Sequence, residues 1–263
     1  LARSEVVRFA EHRAGLDAAL FAGGYPRIFD AGLDPAEWLG SYVATYIERD
    51  VRTVTNVGDL AAFQRFVQLC AGRTAQVVNY SSLASDCGVS QPTAKAWLSI
   101  LEASFVAFRL PSLRSTVRKR LIKMPKLHFY DTGLVCWLLG IRSPEQLVAH
   151  PLRGAIFETW VVSEIAKHRA NRGTSSELSF YRDRSSSEVD LVLERPEAAT
   201  LVEAKAGATP SASMLAGAAR VSGHLAHAYE NTEAVCVYGG DTPMSRRDGQ
   251  IVPWSQLHEL ELR

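Results

Sequence analysis

The sequence predicts a mixed α+β and α/β chain with more than one domain. Three observations carry this reading. Helical apolar spacing dominates the N-terminal segment, a central segment joins two short helices to strand-like runs, and the C-terminal segment alternates helices with apolar strands. At 263 residues, 47% hydrophobic and 22% charged, the chain has enough apolar mass for real cores, which excludes a disordered or disulfide-scaffold class. No apolar run approaches the length a membrane helix needs. The net charge is only +1, which on the average argues against a dedicated basic nucleic-acid binder.

Residues 1–70 read as a helical segment. The chain opens Leu1-Ala-Arg-Ser-Glu, which reads as the middle of an amphipathic helix, neither signal nor transit peptide, and predicts a preceding segment. Helical spacing runs over residues 4–20 and breaks at Gly23-Gly24-Tyr25-Pro26. A second helix starts at Asp34-Pro35, an N-cap acid before a first-turn proline. A third covers residues 59–69, with Phe63, Phe66, Val67 and Cys70 on one stripe.

Residues 71–150 read as a winged-helix domain with a connecting helix. Residues 82–87 form a short helix, Gly88-Val89-Ser90 a tight turn, and residues 91–102 a second helix capped by Ser90. Leu83, Ala84, Val89, Ala94, Leu98 and Leu101 supply its core. Strand-like runs at 105–110 and 127–130 complete the pattern. From Arg109 to Lys126 there are seven basic residues and no acid, a local charge of +7. Arg114, Arg118, Lys119, Arg120 and Lys123, with Lys95 on the second helix, are candidate phosphate contacts. The outward face of that helix offers few base-reading side chains, so binding is expected to be non-specific. A solvated loop, or a face docked on an acidic neighbour, explains the charge equally.

Residues 151–263 read as an α/β domain: a helix at 153–169, strands at 178–181, 188–193 and 200–205, a helix at 212–228 and a buried strand at 234–238. The four cysteines lie apart among apolar neighbours and read as reduced core residues. The chemistry-bearing residues are Glu158, Asp190, Glu203 and Lys205. Alternation along a strand puts Glu203 and Lys205 on one face with Leu201, and Asp190 on one face with Val192. Both strands are apolar on two sides, where an ionised carboxylate is costly unless paired or metal-bound. Glu158 falls on the helical stripe of Val161, Val162 and Ile165. Asp190, Glu203 and Glu158 could thus hold Mg²⁺ or Mn²⁺, with Lys205 orienting or deprotonating water for phosphodiester hydrolysis. The alternative makes these acids structural partners of Arg182 or Arg184. His224 and His227 read as solvated helix residues.

Asp190 followed by Glu203-Ala-Lys205, with a helix acid upstream, resembles the PD-(D/E)XK nuclease-like fold. The whole chain resembles the C-terminal half of a bacterial family of AAA-type ATPases with a C-terminal domain of unknown function. The matching stretches are Gly24-Tyr25-Pro26-Arg27, Tyr46-Ile-Glu-Arg49-Asp50-Val51, Ser90-Gln91-Pro92-Thr93, Lys123-Met-Pro125-Lys126, Phe129-Tyr-Asp131-Thr-Gly133, Gly154 to Glu158, Glu188-Val-Asp190 and Glu203-Ala-Lys205. The resemblance implies an upstream ATPase domain, which binds ATP and whose P-loop this chain lacks. It also implies a winged helix, then a restriction-endonuclease-like mixed sheet with flanking helices. Asp190, Glu203 and Lys205 become its catalytic residues. One departure is plain: active members often carry a further Lys or Gln on the helix after E-x-K, and here that helix is Ala-rich.

The expected function is therefore that of a cytoplasmic bacterial ATPase-family protein acting on DNA, with this part a metal-dependent phosphodiesterase. The expected partners are DNA, the absent ATPase domain and, as an open option, a second copy of the chain; no membrane is expected. The competing expectation is a non-catalytic module that binds nucleic acid or protein on behalf of the ATPase.

Overall fold

A computed structural model describes residues 15–47, 59–113, 123–173, 178–185 and 187–260. They form two compact units. One, the helical unit, takes its described residues from 13–109 and 127–159; the other, the sheet unit, takes them from 110–126 and from 160 onward.

In the helical unit, local signals place the helices. They run α1 (Leu16–Ala22), α2 (Pro26–Asp30), α3 (Pro35–Tyr42), a π-helical turn (Val43–Ile47), then α4 (Leu60–Ala71). After β1 (Gln76–Val77) come α5 (Tyr80–Cys87) and α6 (Gln91–Ala103), then β2 (Ala107–Leu110), β3 (Lys126–Phe129), α7 (Thr132–Leu138) and α8 (Pro144–Val148). Helix α9 (Arg153–Asn171) begins in this unit and continues in the other. N-cap side chains accept the orphan amides of the first turn: Asp34 from Glu37 at 2.9 Å, Asp59 from Ala62 at 2.9 Å, and Ser90 from Thr93 at 3.2 Å. Gly88 turns α5 into α6 with a left-handed φ of 71°. Trp97 of α6 packs edge-on against Phe63 and Phe66 of α4, with ring centroids 5.3 and 5.5 Å away. Strands β1, β3 and β2 form a three-stranded sheet in that order.

Two motifs separated by more than a hundred residues meet in this unit. Asp131 caps α7 by accepting Leu134 N–H at 2.8 Å through Oδ1, and its Oδ2 accepts Gly24 N–H at 2.7 Å. Gly23 has a φ of 68°, and a Cβ there would land on the Asp131 carboxylate. A Cβ on Gly133 would lie 2.7 Å from the backbone carbon of Ala22. The end of α1 and the start of α7 therefore touch backbone to backbone, which only glycine permits. Gly23-Gly24-Tyr25 and Asp131-Thr-Gly133 are thus the two halves of one structural clasp.

The sheet unit holds β4 (Leu178–Arg182), β5 (Glu188–Glu194), β6 (Ala198–Lys205), α10 (Ala216–Leu225), β7 (Asn231–Tyr238), β8 (Met244–Arg246) and β9 (Gly249–Pro253). Its order is β4-β5-β6-β7-β9-β8. The first three strands form an antiparallel meander; β7 then pairs parallel to β6, and β9 parallel to β7. Parallel pairing of β6 and β7 requires a crossover, and α10 supplies it. Ala218, Val221 and Leu225 of α10 share a buried cluster with Ala199, Leu201, Ala234 and Cys236. The helix expected over 212–228 is a 3₁₀ turn (Ala212–Leu215) followed by the shorter α10, and the β8–β9 hairpin was not anticipated. Its first strand is polar and half-exposed, so it carries no burial signal.

All four cysteines are free and buried, as expected. Among the described residues no helix is long and apolar enough to cross a membrane.

Replacing Asp131 by Ala should cost the helical unit about 1–3 kcal/mol, because the buried Leu134 amide and the part-buried Gly24 amide lose their acceptor. Gly133→Ala should also lower the melting temperature, although alanine is the better helix former, since the new methyl meets backbone that cannot move aside. Thermal unfolding followed by circular dichroism checks both.

Candidate carboxylate–lysine site

Strand β6 is the origin of the site. It is paired on both sides, to β5 and to β7, and its residues from Ala199 to Glu203 are buried on both faces. Cross-strand pairing with β5 runs from Glu194↔Ala199 to Leu191↔Val202. Beyond it, the Asp190 side chain bonds β6 instead, Oδ2 accepting Ala204 N–H at 3.0 Å. Lys205 Nζ lies 2.7 Å from Glu203 Oε2 and 4.0 Å from Asp190 Oδ2. The structure therefore brings together the three residues singled out on strand spacing, Asp190, Glu203 and Lys205. Both acids are buried, at 8% and 4% exposure, while Lys205 reaches toward solvent.

Two further side chains complete the cluster. Glu188 flanks Asp190 along β5, and Lys126, at the head of β3, is buried with its Nζ 2.6 Å from Glu188 Oε1 and 3.5 Å from Asp190 Oδ1. Arg182 Nε adds a looser contact to Glu188 at 3.5 Å. The arginine partner weighed above for the buried acids thus reaches Glu188. Lys126 was missed as a site residue because it reads as one more member of a basic run; only the three-dimensional pairing distinguishes it.

Helix α10 contributes a gap. A Cβ on Gly217 would fall on Glu203 Oε1, so the absence of a side chain there lets the carboxylate lie against the first turn of the helix. A carboxylate in that position also meets the positive end of the helix dipole. Among the described residues, the Ala-rich helix places Gly217 against Glu203, offering space where the further Lys or Gln is absent.

The electrostatics follow from burial. Desolvation, reinforced by the negative charge of Asp190, pushes the Glu203 carboxyl up to about 7, against the pull of Lys205 and Lys126. Burial alone would depress Lys205, but the charges of Asp190 and Glu203 hold its ammonium above the usual lysine range. Lys205 is therefore a cation and hydrogen-bond donor in this state. Cys236, opposite Glu203 on β7, is pushed up to about 12 by burial and is inert as a thiolate.

The donor set suits a hard divalent cation, which one or two carboxylates can hold if water and substrate oxygens complete its shell. Asp190 and Glu203 provide that pair, and the Gly217 gap leaves one carboxylate free of steric crowding from the helix. Among the described residues there is no group of three or more His, Cys, Asp or Glu side chains placed to hold a metal. Glu158 is half-buried on α9 within the helical unit, whereas the other candidates belong to the sheet unit.

Of the basic candidates, Lys95 and Lys123 are exposed, and Lys95 Nζ sits 5.4 Å from the Tyr80 ring centroid. Arg114, Arg118, Lys119 and Arg120 lie outside the described residues. Arg109 is committed elsewhere, in a bidentate pair with Glu102 and a 2.8 Å bond to the Tyr80 hydroxyl. His227 is exposed, as expected, but His224 is half-buried, with Nδ1 3.2 Å from the Tyr181 hydroxyl and 3.8 Å from Asp183.

Comparison with known proteins places the chain. A family model described as a domain of unknown function, DUF8612, matches residues 13–145, half of the chain. The chain belongs to that family. A second model, likewise described as a domain of unknown function, DUF4143, matches residues 153–257 and so covers every strand of the larger sheet. Relatives include uncharacterized proteins of Mycobacterium tuberculosis and Mycobacterium bovis, each 30% identical over 212 residues and 80% of this chain. The chain spans about half the length, 47%, of these relatives. No solved structure matches it significantly.

Two measurements test this geometry. Gly217→Ala should lower stability in the wild-type background but not when Glu203 is also Ala, a coupling that a double-mutant cycle reads directly. The raised Glu203 carboxyl binds its proton more tightly folded than unfolded, so its contribution to stability falls as pH rises from about 4.5 to about 7. Urea midpoints at pH 5 and pH 8 should differ less in Glu203→Gln than in wild type.

Proposed function

We propose that the sheet unit is a nuclease-like phosphodiester site of the PD-(D/E)XK kind, carried by the C-terminal part of a bacterial AAA-type ATP-binding protein. The observation that carries this reading is the convergence of Asp190, Glu203 and Lys205 from two adjacent buried strands, with a helix glycine making room for one of the acids. The ATPase parentage is supported by the length of the mycobacterial relatives, of which the chain spans 47%, and by the family resemblance of the motifs quoted from the sequence.

In this reading Asp190 and Glu203 hold Mg²⁺ or Mn²⁺, which when bound supplies a Lewis acid for the scissile phosphate. Lys205, held as an ammonium, orients the attacking water and balances charge on the phosphate oxygens. The apolar strands around the acids exclude bulk water from one side. The helix pair α5–α6 with the β1-β3-β2 sheet serves as a winged helix that holds DNA through its backbone, aided by the basic residues between Arg109 and Lys126. A second reading, binding without cleavage, is favoured by one fact: each of the two acids already has a lysine partner.

Incubation of the chain with single- and double-stranded DNA and Mn²⁺ or Mg²⁺ separates the two. Cleavage that drops on the order of a hundredfold or more in Asp190→Ala and Lys205→Ala supports the nuclease reading. Activity that survives Asp190→Ala sinks it. Salt-dependent DNA binding without cleavage, weakened by Arg118→Ala with Lys119→Ala, supports the binding module.

A further inference from the structure

The cluster contains a lysine that the proposed chemistry does not use. Lys126 is 1% exposed, and lysines are almost never buried so completely without a dedicated partner. Its Nζ touches Glu188 at 2.6 Å, stands 3.5 Å from Asp190 Oδ1 and lies 5.5 Å from the Phe180 ring centroid. Asp190 is consequently engaged through both oxygens. Oδ2 takes the Ala204 amide, a bond fixed by the backbone, and Oδ1 faces Lys126. Oδ1 is thus the oxygen more easily surrendered to another cation.

A divalent ion bound to Oδ1 and an ammonium held 3.5 Å from the same atom repel each other strongly in a buried site. Both cannot stay. Glu188 offers Lys126 an alternative seat, since it is the closer partner and its side chain is 32% exposed. The flexible lysine stem can follow Glu188 outward while keeping that bond.

We infer that Lys126 is a tethered counter-ion that competes with the divalent cation for Asp190, so that the ion enters only as Lys126 withdraws toward Glu188. The inference rests on the proposed reading of Asp190 as an ion ligand, and adds to it a residue that sets the affinity of the site. Without the ion, Lys126 keeps the buried carboxylate neutralised. With it, Lys126 is displaced toward solvent. The two states are mutually exclusive, so ion binding and Lys126 exposure are linked.

The test is Mn²⁺ binding to the full chain, read as the loss of the free-ion electron paramagnetic resonance signal. Lys126→Met keeps the length of the stem and removes the charge. It should bind Mn²⁺ at least about tenfold tighter than wild type, a gain abolished when Asp190→Asn is added. In the wild-type chain, Mg²⁺ should speed acetylation of Lys126 by an N-hydroxysuccinimide ester, read by mass spectrometry, and should not do so in Asp190→Asn. If wild type and Lys126→Met both bind Mn²⁺ equally well, and Asp190→Asn loses it, the counter-ion role is overturned while Asp190 stands as a ligand. If neither binds, the ion-site reading falls and takes the inference with it. Should Lys126→Met fail to fold, the wild-type acetylation decides alone: a rate unchanged or slowed by Mg²⁺ overturns the inference.

Discussion

Burying carboxylates in the middle of an apolar sheet is the constraint on which the rest of the sheet unit depends. Asp190 and Glu203 sit on strands with neighbours on both sides, where water cannot solvate them. The unit answers with lysines from two directions, Lys205 from β6 itself and Lys126 from the head of β3, and with a backbone amide from Ala204. Burial, reinforced by the negative charge of Asp190, outweighs the pull of the two lysines, which is why the Glu203 carboxyl is pushed up to about 7. A site left short of positive charge in this way has a standing preference for a cation or for protons. Replacing the acids by apolar residues of similar volume could make the unit more stable, and such buried charge is weak evidence of a role in stability.

The helical unit solves a different problem, that of bringing distant helices close without side chains in between. Its clasp joins Asp131 to the Gly23–Gly24 turn and lets Gly133 touch the backbone of Ala22. The glycines, which read from sequence only as a break between helices, turn out to be contact surfaces. Asp131 does double duty as helix cap and turn anchor. Neither role involves chemistry on a substrate.

Strand alternation alone put Glu203 and Lys205 on one face, and the helix and strand runs of the C-terminal segment were legible down to their order. That worked because these elements are long, apolar and locally consistent. The N-caps Asp34 and Ser90 were equally legible, since a capping side chain acts three residues away, whereas Asn79, Asp131 and Ser143 were not read as caps. What escaped was non-local or weakly apolar. The β8–β9 hairpin has a polar strand and no periodic signal. Lys126 looked like one basic residue among seven, and only its burial against Glu188 and Asp190 separates it from them. Gly217 was invisible as a site residue because its contribution is a missing atom. The division into units, with 110–126 counted alongside the large sheet, likewise depends on contacts between remote segments.

The position of Lys126 in the chain has a consequence for synthesis. Chains emerge N-terminus first and domains fold as units. Lys126 is made before Glu188, Asp190 and Glu203, and Gly217 is made after them. The meander that brings β5 onto β6 closes only short loops, at low entropic cost, so the acids can meet before α10 and β7 have left the ribosome. At that moment the later half of the sheet does not yet exist, but Lys126, whose charge offsets the acids in the folded chain, has already been made. The order of synthesis thus makes the counter-charge before the acids, and their apolar cover after them.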